Sequence, residues 1–233
     1  MKNKVIKNLV YSKSNIPKLA KYDRIKEGLE KINMSKIKSI LDLGCGPGQA
    51  LYAIKNLGFN GSYLGVDNDP DMINMANKFY SENQYKNFFF KKKEIQKYSS
   101  NKKFDLILIW GVISFFDNYK IFINKMNNLL NSDGTISIFS GFTENDYSVY
   151  VKYKYKNEKK QSGLNMHSIN EIESYLKEKR FKINKKKFLP KINLKRKKNP
   201  LNSFFLFNDK NEKILANGLN IIRQFYFINA RKL

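Results

Sequence analysis

One cysteine, one histidine and five prolines stand in a chain of 233 residues. A single thiol, Cys45, excludes an intrachain disulfide framework and a cysteine-rich zinc site. A lone His167 argues against a multi-histidine metal centre, so no metal site is expected. Arginine is scarce too: Arg24, Arg180, Arg196, Arg223 and Arg231 are five of the 44 basic residues, and the rest are lysine. No apolar run reaches the roughly 18 residues that a membrane-spanning helix needs. The first ten residues are basic but carry no apolar h-region and no small-residue cleavage site, which reads as an unprocessed, cytoplasmic chain.

What the chain does have is apolar and aromatic mass. Hydrophobic residues make up 42%, with 18 Phe and 14 Tyr, enough for a real core and incompatible with wholesale disorder. The formal net charge of +24 is the other conspicuous feature, and it raises the question of a polyanionic partner such as nucleic acid or a membrane surface. The choice of base bears on the answer. Lys, Asn and Ile share A/T-rich codons, so genome bias alone produces this composition, whereas nucleic-acid sites favour the bidentate fork of Arg. Compositional drift is the preferred reading and polyanion binding the alternative.

The apolar pattern alternates along the chain. Ile25, Leu29 and Ile32 mark a helix from near Pro17. Ser39–Leu43 is an apolar run that stops at glycines, as a buried parallel strand does. Ala50, Ile54 and Leu57 stripe a helix, and residues 63–67 form a second strand. Asp69 and Pro70 supply an N-cap and a first-turn proline for a helix with Met72, Met75, Ala76 and Phe79 inward. Phe88–Phe90 is a third strand, and Phe104–Trp110 a fourth, apolar on both faces and so central. Phe122, Met126, Leu129 and Leu130 stripe the next helix, and Asp133-Gly134 turns into a strand over 135–139. This alternation with short links predicts an α/β fold with a doubly wound, mostly parallel sheet. Beyond Gly141 the rhythm breaks into a polar insertion. Ser168 and Glu171 then form a capping box for a further helix. Residues 181–188 alternate poorly but are a candidate strand, 191–200 are a basic connector, and 203–216 form a hairpin around Asn208–Asn211. A last strand covers 221–230. The expectation is one domain: an N-terminal helical cap over 1–36, a ligand-binding core over 37–140, and a substrate-side insertion with terminal strands over 141–233.

The most informative segment is Leu41-Asp42-Leu43-Gly44-Cys45-Gly46-Pro47-Gly48-Gln49, where the first strand meets a helix. Glycines there let a ligand approach the backbone, and the helix N-terminus offers free N–H groups. Asp67 follows 19 residues after Gly48, at the end of the second strand, where a carboxylate can accept both hydroxyls of a ribose. A nicotinamide site wants G-x-G-x-x-G around a pyrophosphate. Here the spacing is G-x-G-x-G behind the acidic Asp42, which suits a ligand with a ribose, an adenine and a cationic amino-acid end.

At this point the sequence resembles the class I S-adenosylmethionine-dependent methyltransferases. LDLGCGPG is similar to their first motif, GVDNDPDM to their second, FDLILIWGVISFFDN to their fourth-strand motif, and LLNSDGTISIF to the turn before their fifth strand. The resemblance spans roughly residues 38–140, in the right order. It implies a seven-stranded Rossmann-like sheet, with the tail (a hairpin ending in IIRQFYFINARK) as its antiparallel sixth and seventh strands and with an inserted lid. It implies S-adenosyl-L-methionine as cofactor. Gly44, Gly46 and Gly48 would line its methionyl and ribose portion, with Cys45 a small filler between them. Asp42 would orient its amino group and Asp67 its ribose hydroxyls. Asn68, Glu94 and Ile95 would lie at the adenine, and Trp110 and Gly111 would close the methionyl end. Glu94 departs from the family's usual Asp, and Lys91-Lys92-Lys93 before it are unusual.

Methyl transfer from a sulfonium needs alignment and, for a hydroxyl acceptor, a base. His167 is the catalytic candidate, at the edge of the substrate region, with Asp146, Tyr147 and Tyr150 as alternatives. The place after the fourth strand reads Trp110-Gly111-Val112-Ile113, without the polar-Pro-Pro-aromatic motif of base N-methylases. The lone Cys45 is not where cytosine C5 chemistry needs a nucleophile. The expected acceptor is therefore a small hydroxylated or carboxylated molecule, with a lean to O-methylation of a sugar or glycan precursor. The alternative is an RNA methyltransferase or RNA-binding protein on the same fold, for which the basic stretch 179–198 speaks.

Overall fold

Five short runs rich in apolar residues become five parallel strands: β1 Ser39–Leu43, β2 Ser62–Asp67, β3 Phe88–Lys92, β4 Phe104–Trp110 and β5 Leu130–Phe142. The computed structural model describes residues 22–83, 85–154, 156, 162–189, 195, 202–217 and 221–233. The helices are α1 Tyr22–Leu29, α2 Gln49–Lys55, α3 Pro70–Glu82, α4 Tyr119–Leu129 and α5 Ile169–Glu178. The expected caps form: Asp69 accepts a bond from the Asp71 N–H at 3.0 Å, and Ser168 caps α5 by accepting from the Glu171 N–H. Of the N-terminal cap, residues 1–21 lie outside the described residues.

The insertion after β5 holds two short strands, β6 Lys152–Tyr153 and β7 Ser162–Gly163, paired antiparallel into a flap. After α5 come β8 Phe181–Phe188, the hairpin β9 Ser203–Phe207 and β10 Lys213–Asn217, and β11 Gln224–Lys232. The seven-stranded sheet has the order β3-β2-β1-β4-β5-β11-β8, and β11 runs antiparallel to both its neighbours. The tail departs from expectation here. The β9–β10 hairpin stays outside the seven-stranded sheet, and the candidate strand 181–188 supplies the edge instead. The burial patterns explain this. β11 is buried along most of its length and belongs inside the sheet, whereas β8 carries Lys182, Lys185, Lys186 and Lys187, charges that suit an edge. Residues 191–194 and 196–200 of the basic connector lie outside the described residues.

Strand alternation sends β1 side chains to two cores. Leu41 and Leu43 join Ile107, Ile109 and the apolar stripes of α4 and α5 on one face. Ile40 joins Leu106, Leu108 and the buried faces of α1 and α2 on the other. The sheet is thereby covered on both sides, as a parallel sheet requires. Among the described residues no helix is long and apolar enough to cross a membrane.

Candidate cofactor cleft and acceptor wall

The chain leaves β1 at Leu43 and starts α2 at Gln49, so the intervening loop must reverse within a few residues. Gly44, Gly46 and Gly48 do so with φ of 82°, 53° and 80°, a left-handed region that glycine enters without strain. Each has a different neighbour. A Cβ on Gly44 would stand 2.2 Å from Val112 Cγ2, which lies across the cleft mouth. Gly46 gives its N–H to Asp67 Oδ2 at 2.9 Å. Gly48 is wedged under aromatic rings, where a Cβ would meet Phe90 and Tyr80 at 2.8 Å, and the Tyr80 hydroxyl donates to its carbonyl at 2.6 Å.

Asp67 ends β2 and is held from both sides. Its Oδ2 accepts from Gly46 and its Oδ1 from the Asp69 N–H, each at 2.9 Å. A carboxylate has about four acceptor positions, so both oxygens keep capacity for a ligand. Asp67, Gly44, Asn68, Glu94, Ile95 and Val112 line a cleft of about 900 Å³. Lys92, Lys93, Gln96 and Lys97 close one side, and Phe115 and Phe116 the other. Glu94 precedes a short 3₁₀ turn over Ile95–Lys97 and is paired with Lys97 at 2.8 Å.

Several expected contacts do not face this cleft. Asp42 shares the face of Ile40, is 3% exposed, and accepts a 2.5 Å hydrogen bond from the Tyr63 hydroxyl. Burial pushes its carboxyl up to about 7, against the opposing pull of the Tyr63 bond, and the charge of Asp67 adds to the rise. Asp42 therefore props the loop from beneath. Cys45 is buried, its Sγ within 3.4 Å of the Gly46 carbonyl, and burial raises its thiol well above the ordinary range. That makes it an inert filler. Trp110 points to the α1 face, where its indole N–H donates to Ser137 Oγ at 3.0 Å and its ring meets Phe139 and Phe227 edge-on. Gly111, at φ 73°, gives its N–H to the Phe139 carbonyl at 2.7 Å and turns the chain so that Val112, not Trp110, reaches the cleft.

His167 needs a correction of role. It is 1% exposed, and its Nε2 lies 3.0 Å from the Phe116 carbonyl and 3.4 Å from that of Ile113. Nε2 must carry the proton to donate there, and burial lowers the pKa of the ring. Nε2 fixes the turn at 113–116, while Nδ1 is buried without a hydrogen-bond partner, so the ring holds the cleft wall from within the core. The flap reinforces that wall: the Asn165 N–H donates to the Ser114 carbonyl at 2.7 Å, and its side-chain amide donates to Asp117 at 2.7 Å. Of the alternative bases, Asp146 accepts from the Asn170 amide at 2.8 Å, Tyr147 is exposed, and Tyr150, half exposed, meets the His167 ring edge-on at 6.0 Å. Val112, Phe115 and Phe116 are the wall residues that motif reasoning passed over. The signal was in the sequence, since they lie within the second half of the fourth-strand motif, just past the strand end at Trp110.

The donor set fits the expected cofactor. Asp67 is a fixed acceptor pair that would suit ribose hydroxyls, Ile95 and Val112 are apolar surfaces that would suit an adenine, and the missing Cβ of Gly44 leaves backbone approachable. Among the described residues no group of His, Cys, Asp or Glu could hold a metal ion.

Comparison with known proteins agrees with this geometry. The sequence model of a family described as a methyltransferase domain matches residues 34–196. Over 126 residues the chain is 25% identical to 235L of Invertebrate iridescent virus 6, a protein named for methyltransferase activity, covering 54% of this chain and 46% of that one. Over 134 residues it is 24% identical to a Papaver bracteatum protein named as (S)-tetrahydroprotoberberine N-methyltransferase 2, covering 52% of this chain and 37% of that one. The chain thus spans less than half the length of these two relatives. In three dimensions it superposes on a Listeria monocytogenes protein described as an S-adenosylmethionine-dependent methyltransferase, with TM-score 0.63, 15% identity, and coverage of 92% of this chain and 98% of that one.

Proposed function

The chain belongs to the methyltransferase-domain family, its residues 34–196 matching that family's model, and from that premise we propose that it transfers a methyl group from S-adenosylmethionine to a small hydroxylated acceptor. The observation that carries the reading is the cleft that joins the doubly anchored Asp67 to the Val112–Phe116 wall. When bound, the cofactor supplies an activated methyl on a sulfonium. The chain's own residues bind and orient. Asp67 would hold the ribose hydroxyls, Asn68, Glu94 and Ile95 would bound the adenine, and Gly44 would let the methionyl portion lie against backbone. Phe115 and Phe116 would screen the transfer side once a ligand covers them. Alignment of this kind supplies roughly 7–11 kcal/mol of barrier lowering, which is the main demand when the leaving group is already good.

A small acceptor is supported by the small-molecule name of one relative. Within that class the finer reading is O-methylation of a sugar or glycan precursor. RNA is the second reading, and the basic tail is its motive. In β8, however, Lys185, Lys186 and Lys187 are paired with Glu173, Glu30 and Glu144 at 3.0, 2.8 and 3.0 Å. Those lysines are engaged with the protein's own carboxylates.

The test is incubation with methyl-labelled cofactor and, separately, sugar nucleotides or glycolipid precursors and total RNA, at about 0.15 M salt, where phosphate-driven binding is strongly weakened. Label in the small-molecule pool is expected. Label at one defined nucleotide of RNA would replace this reading with the second.

A further inference from the structure

Arg223 is one of the chain's few arginines, and its guanidinium is in an unusual place. It immediately precedes β11, whose Gln224 pairs with Phe142 at the carboxyl end of β5. It is therefore at the edge of the sheet where ligands of such folds bind. Its side chain crosses Gly141, where a Cβ would meet Arg223 Cδ at 3.1 Å, and lies over the Phe225 ring at 5.3 Å. Phe225 stacks on Phe139 at 5.4 Å, and Arg24 lies over that ring, also at 5.4 Å. The Phe139 carbonyl in turn holds the N–H of Gly111, the residue that turns the chain into the cleft wall. Two of five arginines thus bracket one aromatic stack on the α1 face of the sheet, beside Trp110, in a chain that otherwise uses lysine.

Arg223 has little to compensate its burial. One Nη donates to Ser203 Oγ, while Nε is buried without a hydrogen-bond partner. Among the described residues no carboxylate pairs with it, and burial alone pulls its pKa down. A desolvated guanidinium without a counterion is costly. Its planar fork suits two oxygens of one anionic group, a geometry that lysine does not offer.

We propose that Arg223 is the anion-recognition residue of the acceptor site, so that the methyl acceptor carries a carboxylate or a phosphate. The inference rests on the methyltransferase reading for what the anion belongs to. Phe225, whose ring lies under the guanidinium, would flank the body of the acceptor, and Ser203 would orient the guanidinium.

The test uses small anions as probes and reads binding by calorimetry, with and without S-adenosylhomocysteine. Benzoate and phenyl phosphate distinguish the two oxyanions, and benzamide is the neutral control, all at equal ionic strength. One oxyanion should bind the wild-type protein at least tenfold more tightly than benzamide. Arg223→Gln should lose that preference, Arg223→Lys should keep a reduced part of it, and Lys182→Gln, an equal change of net charge on the exposed edge strand, should leave it intact. Melting curves establish that each variant is folded, and Arg223→Lys carries the comparison should Arg223→Gln not fold. Equal binding of benzamide, or an anion preference unchanged by the Arg223 variants, overturns the proposal and leaves Arg223 as a latch for the hairpin. Failure of S-adenosylhomocysteine to bind in the same titrations would instead strike the methyltransferase reading.

Discussion

Asp42→Asn should stabilise the protein at neutral and alkaline pH. The wild-type carboxyl is buried under the glycine loop with a pKa of about 7, against 3.8 in the unfolded chain. An acid whose pKa rises on folding binds more protons folded than unfolded, so stability falls as pH climbs from about 4 to about 7 and then levels. At about 1.4 kcal/mol per pH unit, the cost above pH 7 is on the order of 4 kcal/mol. Asparagine removes the charge while its amide oxygen still accepts from the Tyr63 hydroxyl, so the loop keeps its prop. Asp105 and Glu144, held below their ordinary values by hydrogen bonds, act oppositely and lose stabilisation as pH falls. They are common to both proteins and cancel in the difference. The assay is urea unfolding of both proteins from pH 4 to pH 8. The variant's advantage should be near zero at pH 4 and grow to several kcal/mol by pH 8. A difference that does not change with pH, or a variant destabilised at pH 8, would refute a buried carboxyl that ionises at a cost.

Three further outcomes follow from the cleft. Asp67→Ala should weaken S-adenosylhomocysteine at least tenfold in a folded protein, since charge-assisted hydrogen bonds are worth about 1.5–3 kcal/mol each, and calorimetry reads this. Gly44→Ala should abolish measurable cofactor binding and cost about 1–3 kcal/mol of stability, because its φ is 82° and the new Cβ collides with Val112. His167→Gln, which still offers an N–H to the Phe116 carbonyl, should keep methyl transfer within about threefold and leave the pH–rate profile unmoved. A general base at this position would lose about a hundredfold or more instead.

The parallel half of the fold was legible because each strand is a short apolar run ended by a turn signal. Ser39–Leu43 and Phe104–Trp110 are observed with those bounds. The Asn208–Asn211 turn was legible for a local reason, since Asn208 Oδ1 accepts from the N–H groups of Lys210 and Glu212 and Asn211 takes a φ of 59°. Strand order at the tail was not, because insertion of β11 between β5 and β8 depends on which strand buries both faces. Asp67 could be read from its place at a strand end. Asp42 and Trp110 could not be given a side, because a period of two says which residues share a face, not which face carries the ligand. His167 was legible as the neighbour of a helix cap. Its partners are carbonyls of Ile113 and Phe116, about fifty residues earlier, and only the folded chain brings them together.

The central claim is that the glycine loop and Asp67 form a site for S-adenosylmethionine rather than for a dinucleotide. Calorimetric titration of the purified protein with S-adenosylhomocysteine and, separately, with NAD tests it most directly. The account predicts one S-adenosylhomocysteine bound per chain and NAD weaker by about a hundredfold or more, since no third glycine stands at the dinucleotide spacing to seat a pyrophosphate. NAD binding as tightly as S-adenosylhomocysteine, or more tightly, would contradict it.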